Sequence, residues 1–309
     1  MDAKSKKISW LLILLLWYVL MVYFVTPILV EYMFLTNSVI AELFAEIISV
    51  CLPILTVLLI AKQDKSSMIP LFRICDVPMK MVTSRKLLLW IMVIVAISIS
   101  VNYTFNIFEV IYIIVTKNYS IISYIPEFDI VVFLFTVLVV AIIPSIFEEL
   151  CYRCMYYDCL YDTNWVLLYI ITSLIFASLH VNIYSFINAF ILGIFLMICY
   201  QQNKSLKLIV LLHFVNNLIS IVLSNIVTLP LSPLRILEDY ANDNQMIAAV
   251  IYYIGVVLFM LIILLFCINK LELRNVVLQN ENKISILSII LILLLIVISV
   301  GLFIIKIIY

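Results

Sequence analysis

The sequence predicts an all-α membrane protein, a polytopic bundle of about eight or nine transmembrane helices, and three observations carry that expectation. Of 309 residues, 67% are hydrophobic and only 12% are charged, with a mean hydropathy of +1.28. Soluble domains average about 45–50% apolar and about 25% charged residues, so this composition excludes a water-soluble globule. The apolar residues gather in runs of about 20 or more, the length a helix needs to cross the hydrocarbon core. Three glycines and eight prolines supply too little turn chemistry for an outer-membrane barrel, whose alternating pattern is also missing.

Charged, Pro-containing and Asn-containing breaks divide the chain into nine candidate spans. They cover approximately 8–33, 38–61, 87–115, 129–160, 164–181, 183–201, 206–228, 247–269 and 284–307. The first follows the basic run Lys4 to Lys7 and resembles a signal peptide, but it is too long and lacks a small-residue cleavage site, so it is expected to stay attached. The second stops at Lys62, the third opens after Lys86, and the eighth closes before Lys270. With the N-terminus inside, 14 Lys and Arg residues fall in inner segments and 3 outside. That bias predicts a cytoplasmic N-terminus and an outer C-terminus. The inner loop 62–86 mixes basic residues with Met, Leu and Phe and reads as a connector on the membrane surface. No internal repeat is evident, and the whole of 1–309 reads as one membrane domain.

Lys plus Arg and Asp plus Glu both number 18, so the chain lacks the basic surface of a nucleic-acid binder and no such partner is expected. Seven irregularly spaced cysteines are no disulfide framework. Cys151 and Cys154 form a C-x-x-C without a second pair, which suits small apolar fillers better than a closed zinc site.

An ionisable side chain at mid-bilayer costs about 2.5–3.5 kcal/mol on insertion scales, so each one marks a candidate site. Glu148, Glu149 and Arg153 crowd into six residues of the fourth span. Glu149 and Arg153 are four apart and can pair on one helical face. Glu148 points about 100° away and is left as a candidate general base. The two histidines, His180 and His213, each fall in a span, with Phe176 and Asn217 respectively one turn away. Carboxylate, imidazoles and an amide donor are the set that activates water and steadies an oxyanion. Depth counted along the helices sets Glu148 about 21 Å and His180 about 27 Å from the inner turn near Asp162, against about 10 Å for His213 from Leu206.

These residues resemble the CPBP family of membrane proteins, which includes CAAX-type prenyl proteases and bacteriocin-processing or self-immunity homologues. The three family motifs occur in order: Glu148-Glu149 to Arg153, Phe176 to His180, and His213 to Asn217. Gly193 and Tyr200 lie in a similar stretch between the last two, with Ala189 where relatives often carry Gly. The resemblance covers about 130–225, the expected catalytic core. It implies an intramembrane endopeptidase cutting membrane-associated peptides or proteins near the cytoplasmic side. Glu148 would activate water, His180 and His213 would bind metal or polarise, Asn217 would steady the oxyanion, and Glu149 and Arg153 would support them. A divalent metal, zinc held by His180, His213 and Glu149, is one expectation, and a metal-free glutamate route uses the same groups. The Ile-rich, Gly-poor composition suggests a bacterial cell membrane and peptide rather than prenylated substrates.

Two other classes compete. A transporter would use Glu42, Glu46 and Glu109 as an ion path, yet repeats and Gly- or Pro-broken helices are not evident. A non-catalytic immunity or scaffold protein would keep the motifs for packing alone.

Overall fold

The computed structural model describes residues 17, 47–51, 82–116, 129–156, 165–178, 180, 183–226 and 243–272. Every regular element among them is helical. We label them α1 (Ser84–Thr116), α2 (130–156), α3 (Trp165–Ser178), α4 (Ile183–Asn203), α5 (Leu206–Ile226) and α6 (Asp243–Lys270). Five stretches are long and apolar enough to cross a membrane: Ser84–Thr116, Ile130–Arg153, Tyr184–Asn203, Leu206–Leu223 and Met246–Lys270. They coincide with five of the expected spans. Those at 8–33, 38–61 and 284–307 lie outside the described residues, apart from residue 17 and a short π-helical turn, Ile47–Cys51.

The expected fifth span differs. Its helix α3 has 14 residues and is about 21 Å long, short of the hydrocarbon thickness. It stops at Ser178, and the chain closes with a tight bond from the His180 amide to the Ala177 carbonyl at 3.0 Å. His180 therefore stands just past a helix end instead of inside a span.

Local chemistry explains the other boundaries. Asp129 caps α2, its side chain accepting from the amides of Val131 at 2.7 Å and Val132 at 3.1 Å. Within α2, Pro144 has no amide proton and its ring crowds the carbonyl four residues back. The backbone widens there, and Val137–Ile142 is π-helical. After Ile143–Glu149, a second π-helical stretch runs Leu150–Tyr156. Wide turns of this kind often accompany functional sites. Lys204 (φ 49°) ends α4 in the left-handed region, its amide bonded to Tyr200 O at 2.7 Å, and Ser205 Oγ accepts from the Leu208 amide at 3.3 Å to start α5. A two-residue link thus sets the register of α4 against α5.

Polar side chains in these apolar helices mostly satisfy themselves on their own backbone, as an apolar solvent demands. Thr104, Thr136 and Thr172 each donate to the carbonyl four residues earlier, at 2.7–2.9 Å.

The chain divides into two compact units, Met1–Val82 with Val139–His213 and Arg274–Tyr309, and Thr83–Leu138 with Phe214–Leu273. In the first, α3 packs on α4. Gly193 makes this possible, because a Cβ there would stand 3.0 Å from Ser173 Cβ and 3.1 Å from its Cα. Tyr169 donates to Gln201 Oε1 across the same pair of helices. In the second, α1 packs along α6 around Val110, Ile113, Met246, Ala249 and Tyr253. The opposite face of α6 exposes Ile251, Leu258, Ile262 and Leu265, as lipid contact requires.

Candidate active site

The two carboxylates of α2 are buried, and both meet His213 of α5. His213 Nδ1 lies 2.9 Å from Glu149 Oε1, and its Nε2 lies 3.6 Å from Glu148 Oε2. The expected Glu149–Arg153 pair is present one turn along α2, with Nε 3.0 Å from Oε2. Glu149 and Arg153 are 0% and 1% exposed, and His213 is 2% exposed, so water screens none of these charges. Arg153 also donates from Nη2 to the Gly193 carbonyl at 3.3 Å, which ties α2 to the point where α4 meets α3.

Glu149 thus does more than pair with Arg153. A carboxylate at Nδ1 holds that nitrogen as the N–H donor, which turns the lone pair of a neutral imidazole to Nε2, the side of Glu148. The reading of Glu148 as a carboxylate without a partner is corrected accordingly. Helix register alone put it about 100° from Glu149 but could not show that His213 of α5 supplies a facing group.

His213 lies 7 residues from the start of α5, about 10 Å along the helix. The turn near Asp162, from which the depth of Glu148 was counted, lies outside the described residues.

Phe176 occupies the centre of the site at 0% exposure. Its ring meets His213 edge-on at 5.4 Å between centroids, His180 at 5.5 Å and Tyr152 at 5.3 Å, and the Arg153 guanidinium carbon lies 5.5 Å from its centroid. Aromatic and cationic edges around one ring fix the orientation of both imidazoles. The i, i+4 spacing placed Phe176 on one face with His180, but its contacts with His213, Tyr152 and Arg153 were not legible from the sequence. Tyr152 was missed altogether, and only its position beside Arg153 could have marked it.

Asn217 follows His213 by one turn on α5, and its Oδ1 accepts from Asn216 Nδ2 at 3.2 Å. Of the rival ion-path residues, Glu109 is an exposed residue of α1, while Glu42 and Glu46 lie outside the described residues.

The expected zinc ligands do not form a set as placed. Glu149 directs one oxygen to His213 and the other to Arg153. Among the described residues no group of three His, Cys, Asp or Glu is arranged to hold a metal ion. Cys151 is buried and forms no disulfide among the described residues.

Residues 130–219 match the family described as type II CAAX prenyl endopeptidase Rce1-like. The match includes every residue of the three motifs. No curated protein and no solved structure matches the chain.

Proposed function

We propose that this chain, whose residues 130–219 match the type II CAAX prenyl endopeptidase Rce1-like family, is an intramembrane endopeptidase that cleaves membrane-associated peptides or proteins with a glutamate-activated water. The single observation that carries this reading is the buried His213 imidazole held between Glu149 and Glu148.

Glu148 takes a proton from water, and the water oxygen attacks the scissile carbonyl carbon. The carbonyl oxygen gains the negative charge and accepts from the Asn217 side-chain amide, the role the resemblance gives that residue. As the C–N bond breaks, Glu148 passes the proton to the departing amine, so the carboxylate is regenerated. Glu149 keeps His213 in one tautomer, and His213 Nε2 presents a fixed polar atom beside Glu148, where water is bound and oriented. His180, edge-on to Phe176, polarises the substrate carbonyl from the other imidazole position. None of these steps passes through a metal. Metal content of the purified protein and its response to strong chelators bear directly on the zinc expectation.

The basic-residue bias supports a cytoplasmic N-terminus, and the distance of about 10 Å between His213 and the start of α5, the end beside Lys204 and Lys207, supports cleavage near the cytoplasmic side. The lipid bilayer is the working environment. The test uses the full chain in liposomes with two quenched fluorescent peptides. One is farnesylated and ends in the Cys-aliphatic-aliphatic-X pattern that the family's description names. The other carries an unmodified apolar segment. Cleavage of either supports the endopeptidase, and preference for the second fits the expected peptide substrates. Failure to cut either, with folded protein, opposes it and favours a scaffold.

A further inference from the structure

Resting on the reading of Asn217 as the oxyanion donor, we propose that Ser98 and Asn216 are positioning residues that fix the direction of the Asn217 amide. Ser98 of α1 is 0% exposed and Asn216 of α5 is 3% exposed. Ser98 Oγ donates to Asn216 Oδ1 at 2.5 Å, and Asn216 Nδ2 in turn donates to Asn217 Oδ1 at 3.2 Å.

The order of this relay is what matters. A side-chain amide has an acceptor end and a donor end, and an oxyanion can use only the donor. With Asn217 Oδ1 engaged by Asn216, the NH2 of Asn217 is turned the opposite way. Reversing the Asn217 amide would bring two NH2 groups face to face. Reversing Asn216 would set two oxygens against each other, and the Ser98 proton opposes that by holding Oδ1 on its own side.

Ser98 gives up the ordinary alternative to do this. Hydroxyls elsewhere on α1 bond back to their own helix, Thr104 to the Ser100 carbonyl at 2.7 Å and Thr116 to Tyr112 at 2.8 Å. Ser98 instead reaches across to α5, while Asn102 Nδ2 donates to its backbone carbonyl at 2.8 Å. A serine serving only to join two apolar helices would need one bond. Here the bond continues to the residue beside it.

The test compares Ser98→Ala and Ser98→Thr in the full chain, with the quenched apolar peptide as probe. Removing one oxyanion donor costs about 10²–10³ in kcat, so loosening its direction is expected to cost about tenfold. Ser98→Ala should lower kcat about tenfold with KM unchanged, and Ser98→Thr should restore it. In an Asn217→Ala background, Ser98→Ala should have no further effect. An unchanged kcat, or an equal loss in both backgrounds, overturns the proposal. A readout free of activity separates its failure from that of the protease reading. In [15N]asparagine-labelled protein in micelles, the Asn217 side-chain amide signal, identified by its loss in Asn217→Ala, should shift in Ser98→Ala and return in Ser98→Thr. A signal that stays in place overturns the relay even where no peptide is cut.

Discussion

Glu148 and Glu149 are adjacent, yet their surroundings predict opposite consequences when each is changed to Gln. Glu149 serves two buried partners, Arg153 at 3.0 Å and His213 at 2.9 Å. Removing its charge leaves Arg153 uncompensated, and breaking one side of a buried pair typically costs about 3–5 kcal/mol. Glu149→Gln should therefore lower the amount of protein in the membrane, which quantitative blotting reads. Glu148 lies 3.6 Å from the other His213 nitrogen. Glu148→Gln should accumulate at near-normal levels, because losing a costly intramembrane charge does not harm folding. Equal depletion of both variants would contradict this division. The Glu149–Arg153 pair was legible from i, i+4 spacing alone. The second bond of Glu149 was not, since no local period connects it to a histidine 64 residues away. The central position of Phe176 was hidden for the same reason: contact among three helices is a tertiary fact.

At the scale of the helices, α3 and α4 depend on the absence of a side chain at Gly193. Alanine is the better helix former by about 1 kcal/mol, but its Cβ would meet Ser173 Cβ at 3.0 Å and Cα at 3.1 Å. Backbone atoms cannot rotate away, so overpacking, at about 1–3 kcal/mol, should win. Gly193→Ala should lower the thermal midpoint in detergent, followed by a thiol-reactive dye that reports exposure of the buried Cys199. Ser173→Gly in the same protein should recover part of the loss. Recovery is partial because the Ser173 Cα remains. Hydropathy located the described helices to within a few residues at most ends, because the bilayer imposes length directly. It carried the span of α3 past Ser178, where hydrophobicity runs on while the helix stops. It could not foresee the π-helical turns either, although Pro144 marked where α2 must depart from regular geometry.

For the whole molecule, orientation is the first quantity to measure. The 14-to-3 division of basic residues predicts a cytoplasmic side for reporters fused at Asn203 and Leu273, and the opposite side for fusions at Lys117 and Glu238. Asn203 and Glu238 reporting one side would contradict α5 as a crossing. The substrate was the least legible property, because a water-activating centre is written in a few polar residues whereas substrate choice depends on the shape of the surrounding membrane domain. The most direct test of the account is cleavage of the quenched apolar peptide by equal amounts of wild-type protein and Glu148→Gln in liposomes. General-base assistance is typically worth about 10²–10⁴-fold, and Gln keeps the size of Glu without its ability to take a proton from water. The account predicts cleavage by the wild type and a loss of at least about 10²-fold in the variant. Equal rates from the two proteins would contradict it.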